Sequence, residues 1–174
     1  TYYSRLNDQI EFTREQASDF AKTIAGDFNP IHDPDAKRFC VPGDLLFAVM
    51  LKHFGISQRM TFTFSGMVDG GVSLSFDQHG EQNIDLIDDK NKKYISVKRE
   101  GELCDKDEVI EEVIKKYDDA KKLDDKVLNP IMSVIQLNGH IKVLELTRQI
   151  AVPPHIGIPI MQFKKEVSLE PIKE

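Results

Sequence analysis

The sequence predicts one α+β domain in which an antiparallel sheet curls around a single buried apolar helix. Three observations point there. Residues 45–51, Leu-Leu-Phe-Ala-Val-Met-Leu, carry no polar face. A helix that is apolar all round must be wrapped on nearly every side. Downstream of it, apolar residues alternate with Ser, Thr and charged residues at strand period. The length, 174 residues, is enough for one domain with a core of its own.

Taken in order, Gln9-Ile10-Glu11-Phe12 reads as a short strand. Thr13 followed by Gln16 is a capping-box pattern that starts a helix. Phe20, Ala21 and Ile24 form that helix's apolar face, and Gly26 supplies its stop. Pro42-Gly43-Asp44 opens the apolar helix, with Asp44 as the predicted N-cap, and Gly55 closes it. Met60, Phe62, Phe64 and Val68 then alternate with Thr61, Thr63 and Ser65. Asp69-Gly70-Gly71 reads as a hairpin turn leading to Val72, Leu74 and Phe76. Ile84–Ile87 and Tyr94–Lys98 form a further strand pair, and Ile141–Ile150 is expected to be extended. Met161, Phe163, Val167 and Leu169 alternate with Gln162, Lys164, Glu166 and Ser168, which is strand period again.

The single domain, 1–174, is expected to hold a helical insertion at about 105–138. Val109, Ile110, Val113, Ile114 and Tyr117 recur at helical spacing. Glu111 with Lys115 and Glu112 with Lys116 are favourable pairs one turn apart. Pro130 is predicted to start a second helix that Asn138-Gly139 ends.

Composition narrows the function. The chain is 40% hydrophobic and 30% charged, with a net charge of −6. That balance excludes non-specific binding to a phosphate backbone, which needs a basic face. Lys37-Arg38 and Lys98-Arg99 read as solvated surface. Neither Cys40 nor Cys104 belongs to a CxxC pair, so both are expected to be thiols in a reducing, cytoplasmic compartment. Cys40 lies near the most polar loop, yet a free cysteine is more often a buried packing residue than a nucleophile. Residues 1–25 lack the apolar core of a signal peptide, and Leu45–Leu51 is too short to cross a bilayer. No membrane or nucleic-acid partner is expected. There is no nucleophile elbow, P-loop or dinucleotide fingerprint, so no cofactor is expected.

The chemistry concentrates in Ala25-Gly26-Asp27-Phe28-Asn29-Pro30-Ile31-His32. Pro30 disfavours helix at Asn29, so the chain must leave the first helix and bend. The bend can aim Asp27 and His32 at one point, a recipe for activating water. Two plainer readings compete. Asp27 can cap a turn while His32 sits satisfied at the surface, or His32 can join Asp33 and Asp35 around a metal. No second histidine stands at ligand spacing, so no metal is expected. His53 reads as a packed residue near the end of the apolar helix. His155, in the Pro-rich run 152–159, reads as a loop residue.

Residues 25–36, Ala-Gly-Asp-Phe-Asn-Pro-Ile-His-Asp-Pro-Asp-Ala, resemble the signature of the R-specific enoyl-CoA hydratases and the wider MaoC-like dehydratases. Gly26, Asp27, Asn29, Pro30, Ile31, His32 and Ala36 fit it. The resemblance implies the hotdog fold and a homodimer. It implies that Asp27 and His32 are a catalytic dyad that delivers one water to C3 of a trans-2-enoyl thioester, with a proton added at C2. The thioester would be carried by CoA or an acyl carrier protein. It also implies an oxyanion site at the Gly43 N–H, at the positive end of the buried helix. Gly26, Asn29 and Pro30 would support the loop, Asn29 through an Asx-type hydrogen bond. The chain departs from the pattern after His32. Only ten residues precede Gly43, and they end Val41-Pro42 where the family has a longer segment, often ending in His-Gly. Two alternatives therefore stand beside a hydratase: a thioesterase on the same fold, and a non-catalytic binder of acyl thioesters.

Overall fold

The computed structural model describes residues 2–108, 110, 111, 114, 131–137, 140–151 and 162–171. The described strands form one antiparallel sheet. They are β1 (Ser4–Leu6), β2 (Gln9–Glu11), β3 (Ile56–Phe64), β4 (Leu74–His79), β5 (Asn83–Asp88), β6 (Lys93–Cys104), β7 (Ile131–Leu137), β8 (His140–Ala151) and β9 (Gln162–Pro171). Their order across the sheet is β1-β2-β4-β5-β6-β3-β9-β8-β7. Helices α1 (Arg14–Thr23) and α2 (Gly43–Phe54) precede β3, with a 3-10 turn at Pro30–His32 between them. The architecture is α+β, as the sequence predicts.

α1 begins at the capping box. The Gln16 N–H donates to Thr13 Oγ1 at 3.1 Å, and the Thr13 N–H donates to Gln16 Oε1 at 3.0 Å, which satisfies two helix-end donors. Ala17, Phe20 and Ala21 are buried, and Tyr2 meets Phe20 edge to face at 5.2 Å. Gly26 turns the chain at φ 61°, a conformation that glycine adopts without steric cost.

α2 is the core. Asp44 through Leu51 are all buried. Its apolar residues share one cluster with Ile10, Phe12, Met60, Phe62, Leu74, Ile84, Leu86, Ile95 and Val97 from the strands and their flanks. Phe47 lies edge to face on Phe62, centroids 4.9 Å apart, a favoured aromatic geometry. Helical residues follow β6, and Ile110 and Ile114 join the same core. The other residues of the predicted helical stripe, Val109, Val113 and Tyr117, lie outside the described residues, as does His155.

Three sequence expectations are corrected. Asp44 does not cap α2. Pro42 occupies the N-cap, its carbonyl accepting from the Leu45 and Leu46 N–H groups. Asp44 sits inside the first turn, where a carboxylate suits the helix dipole. Asp69-Gly70-Gly71 does not close a hairpin. β3 pairs with β6 and β9, whereas β4 pairs with β2 and β5. Residues 65–73 carry the chain between those places, a span longer than hairpin loops use. The predicted helix from Pro130 to Asn138-Gly139 is not one either, since residues 131–137 are strand β7, with Leu137 paired to His140. Asn-Gly is also the strongest signal for a two-residue hairpin, and Ile131, Val134 and Ile135 are β-branched residues that favour strands. The insertion is therefore shorter than 105–138.

Phe47→Ala should lower the unfolding free energy by about 3–5 kcal/mol, the range for emptying a buried aromatic site. Urea denaturation measures it. A loss below about 1 kcal/mol would mean that α2 is not the packing centre.

Candidate functional site

The Asp27–His32 loop follows directly from the end of α1. The Asp27 N–H donates back to Ala21 O at 2.7 Å, tying the loop to the helix. Asp27 Oδ1 accepts the Asn29 N–H at 3.0 Å, and Asn29 Oδ1 accepts the Ile31 N–H at 3.1 Å. These consecutive Asx bonds, with Pro30 at the first position of the 3-10 turn, fold five residues into a tight bend. Asn29 braces the loop as its sequence position suggests.

The bend brings the pair together. His32 Nε2 lies 3.4 Å from Asp27 Oδ2, and the imidazole is nearly buried, with 10% of its side chain exposed. The other ring nitrogen, Nδ1, lies 2.6 Å from the Cys40 carbonyl. A carbonyl oxygen can only accept, so Nδ1 carries a proton and donates it. Nε2 then faces the carboxylate either as a second N–H, making an ion pair, or as a lone pair. In the second state a lone pair and a carboxylate oxygen converge, and a water lying beside them can donate one O–H to each.

Cys40 is held in turn. Its N–H donates to Ile31 O at 3.0 Å, and the next N–H, of Val41, donates to Val68 O at 2.8 Å. Its thiol donates to Val41 O at 3.3 Å. Burial pushes that thiol up to about 11, despite a backbone hydrogen bond near Val68 that lowers it. A thiol so rarely ionised is a poor nucleophile. The residue serves the site through its carbonyl. Sequence reasoning passed over this because a backbone acceptor leaves no residue-type signal.

Gly43 is the first residue of α2, three positions beyond Cys40. A Cβ there would make an ordinary 3.5 Å contact with Phe64, so the fold itself does not demand glycine. Phe28, between the two braced residues, is 73% exposed.

Other polar groups fit catalysis less well. His79 Nε2 lies 3.1 Å from Asp77 Oδ2 and 3.5 Å from Asp85 Oδ2, and Lys93 Nζ lies 2.6 Å from Asp85. Burial raises Asp85, but bonds from Lys93 and Ser96 outweigh it and hold the carboxyl below its usual range. That mutually paired cluster sits on the face of β5 opposite the core residues Ile84 and Leu86. His53 stacks on Phe76, centroids 4.3 Å apart. Burial and nearby Arg5 lower its pKa, yet the residue is exposed rather than packed into the core as the sequence suggests. A cleft of about 180 Å³ beside β1 and β2 is lined by Ser4, Leu6, Gln9, Ile10, Glu11 and Ser73. Its Gln9 and Ser73 side chains are already bonded to each other, and Glu11 is its only ionisable lining residue. Among the described residues, no group of three or more His, Cys, Asp or Glu side chains is placed to hold a metal.

A family model described as "Protein of unknown function (DUF3581)" matches residues 1–140. The chain belongs to the DUF3581 family. No curated protein and no solved structure matches it. The DUF3581 match takes in both helices, the dyad loop, Cys40 and Gly43. Among the described residues of this family member, no helix is long and apolar enough to cross a membrane.

A thiol reagent at pH 8 should modify Cys40 about 100-fold more slowly in the folded chain than in urea, as follows from a pKa of about 11 against an ordinary 9.0. Equal rates, followed by mass spectrometry of the labelled peptide, would show an open, reactive thiol.

Proposed function

We propose that this chain is a hydratase/dehydratase of acyl thioesters, with Asp27 and His32 as its catalytic pair. The observation that carries the reading is the convergence of Asp27 Oδ2 and His32 Nε2 at 3.4 Å, with Nδ1 donating to the Cys40 carbonyl. Two acceptor atoms aimed at one point suit a single water, which donates one O–H to each. Water is a weak nucleophile at neutral pH, and a positioned base raises its reactivity. As the water oxygen bonds to C3 of a trans-2-enoyl thioester, one water proton passes to the pair. A proton is returned at C2, so the sum is addition of one water across the double bond. The reverse course is dehydration.

The fold supports this reading. An antiparallel sheet packed on one buried apolar helix is consistent with a hotdog-like arrangement, and residues 25–36 resemble the MaoC-like signature. Gly43 opens α2, where the positive helix end suits the enolate oxygen of the thioester. Phe28, the residue after Asp27, is exposed, and an apolar side chain on this loop suits an acyl chain. The carrier in this reading is CoA or an acyl carrier protein, and the working form is a homodimer.

With crotonyl-CoA or a longer enoyl-CoA, purified protein should bleach the enoyl-thioester absorbance. Asp27→Asn and His32→Ala should each cut that rate by about 10²–10⁴-fold, the range for losing a general acid–base group, with unchanged circular dichroism. Normal turnover in either variant would overturn the assigned roles. Release of free thiol without hydration would favour a thioesterase instead.

A further inference from the structure

We infer that Arg14 is the positioning residue of the Asp27–His32 pair, acting through the loop that joins His32 to α2. Between the 3-10 turn and Gly43 the chain has no helix or strand to hold it, yet it must deliver the Cys40 carbonyl to His32 Nδ1. Arg14, the first residue of α1, grips that loop. Its Nη1 donates to Pro34 O at 3.1 Å and to Ala36 O at 3.0 Å. The guanidinium carbon lies 5.0 Å from the centroid of the Phe39 ring. The opposite edge of the fork is bidentate: Nε donates to Asp69 Oδ1 and Nη2 to Asp69 Oδ2, each at 3.1 Å.

Asp69-Gly70-Gly71 thereby finds its purpose. It is not a hairpin but the receiver of the arginine. A Cβ on Gly70 would stand 2.5 Å from Arg14 Cγ and 3.0 Å from the Arg14 nitrogen, so only glycine lets the segment close on α1. On either side the same segment is tied down, Gly71 N–H to Phe12 O and Val68 O to Val41 N–H, both at 2.8 Å. One planar group thus locks three segments: the start of α1, the 33–40 loop and the 68–71 connection. Lysine, a point charge without a fork, cannot make this set of bonds. With the clamp slack, the Cys40 carbonyl drifts and His32 loses its orientation toward Asp27.

The kinetic arm of the test rests on the hydratase reading; the exchange arm does not. Amide hydrogen exchange and crotonyl-CoA hydration are measured on the full chain, on Arg14→Lys and on Asp69→Asn. In Arg14→Lys, the Cys40 and Val41 amides should exchange about tenfold faster or more, while the Leu86 and Ile95 amides keep their protection. Hydration kcat should fall by about 10- to 100-fold with KM held within about twofold, the mark of misplaced catalytic groups rather than weakened binding. Asp69→Asn should move both readouts in the same direction by less, and it decides the matter if Arg14→Lys does not fold. Unchanged Cys40 and Val41 exchange, or equal acceleration of every amide, would overturn the clamp. Selective loosening of the loop in a chain that hydrates no thioester would uphold the clamp and reject the hydratase.

Discussion

A backbone carbonyl has no proton to give, and this fact governs the site. With the Cys40 oxygen 2.6 Å from His32 Nδ1, the imidazole is fixed in rotation and in which nitrogen bears hydrogen. The nitrogen that meets Asp27 is then the one able to take a proton. The carboxylate is equally constrained, since one oxygen is occupied by the Asn29 N–H and the other is turned to the ring. Neither group needs an unusual residue for this. Both need the bend after α1 and the return of the chain at Cys40.

Those two constraints meet in α2. The helix is buried because its sequence leaves no face for water, and its burial fixes the segment that precedes it. Cys40, Val41 and Pro42 lie just ahead of its first turn, and the Val41 N–H is anchored to Val68 beyond β3. Apolar packing therefore sets the position of a polar acceptor. The same helix start presents the Gly43 N–H close in sequence to the carbonyl that orients the histidine. Core and candidate site are one construction, so damage to the first propagates to the second.

How much of this the sequence discloses depends on range. The capping box at Thr13, the stop at Gly26 and the braces at Asn29 involve residues a few positions apart, and residue type alone announces them. The burial of α2 is equally plain from composition. Strand pairing is different: β3 and β4 are neighbours in sequence but not in the sheet, because register and order are set by distant partners. Pro130 and Asn138-Gly139 misled because the same punctuation serves helix ends and hairpins. The Cys40 carbonyl has no residue-type signature. Arg14 looks like an ordinary exposed helix residue until Asp69, Pro34 and Ala36 are seen around it.

Nitrogen-15 NMR of the imidazole rings tests the central claim most directly, because it reports which nitrogen of His32 is protonated without requiring any substrate. In the neutral ring the account expects hydrogen on Nδ1, slow to exchange, with Nε2 carrying the lone pair. A neutral His32 protonated on Nε2 would contradict it, for the ring would then be donating toward Asp27 and could take no proton from water there.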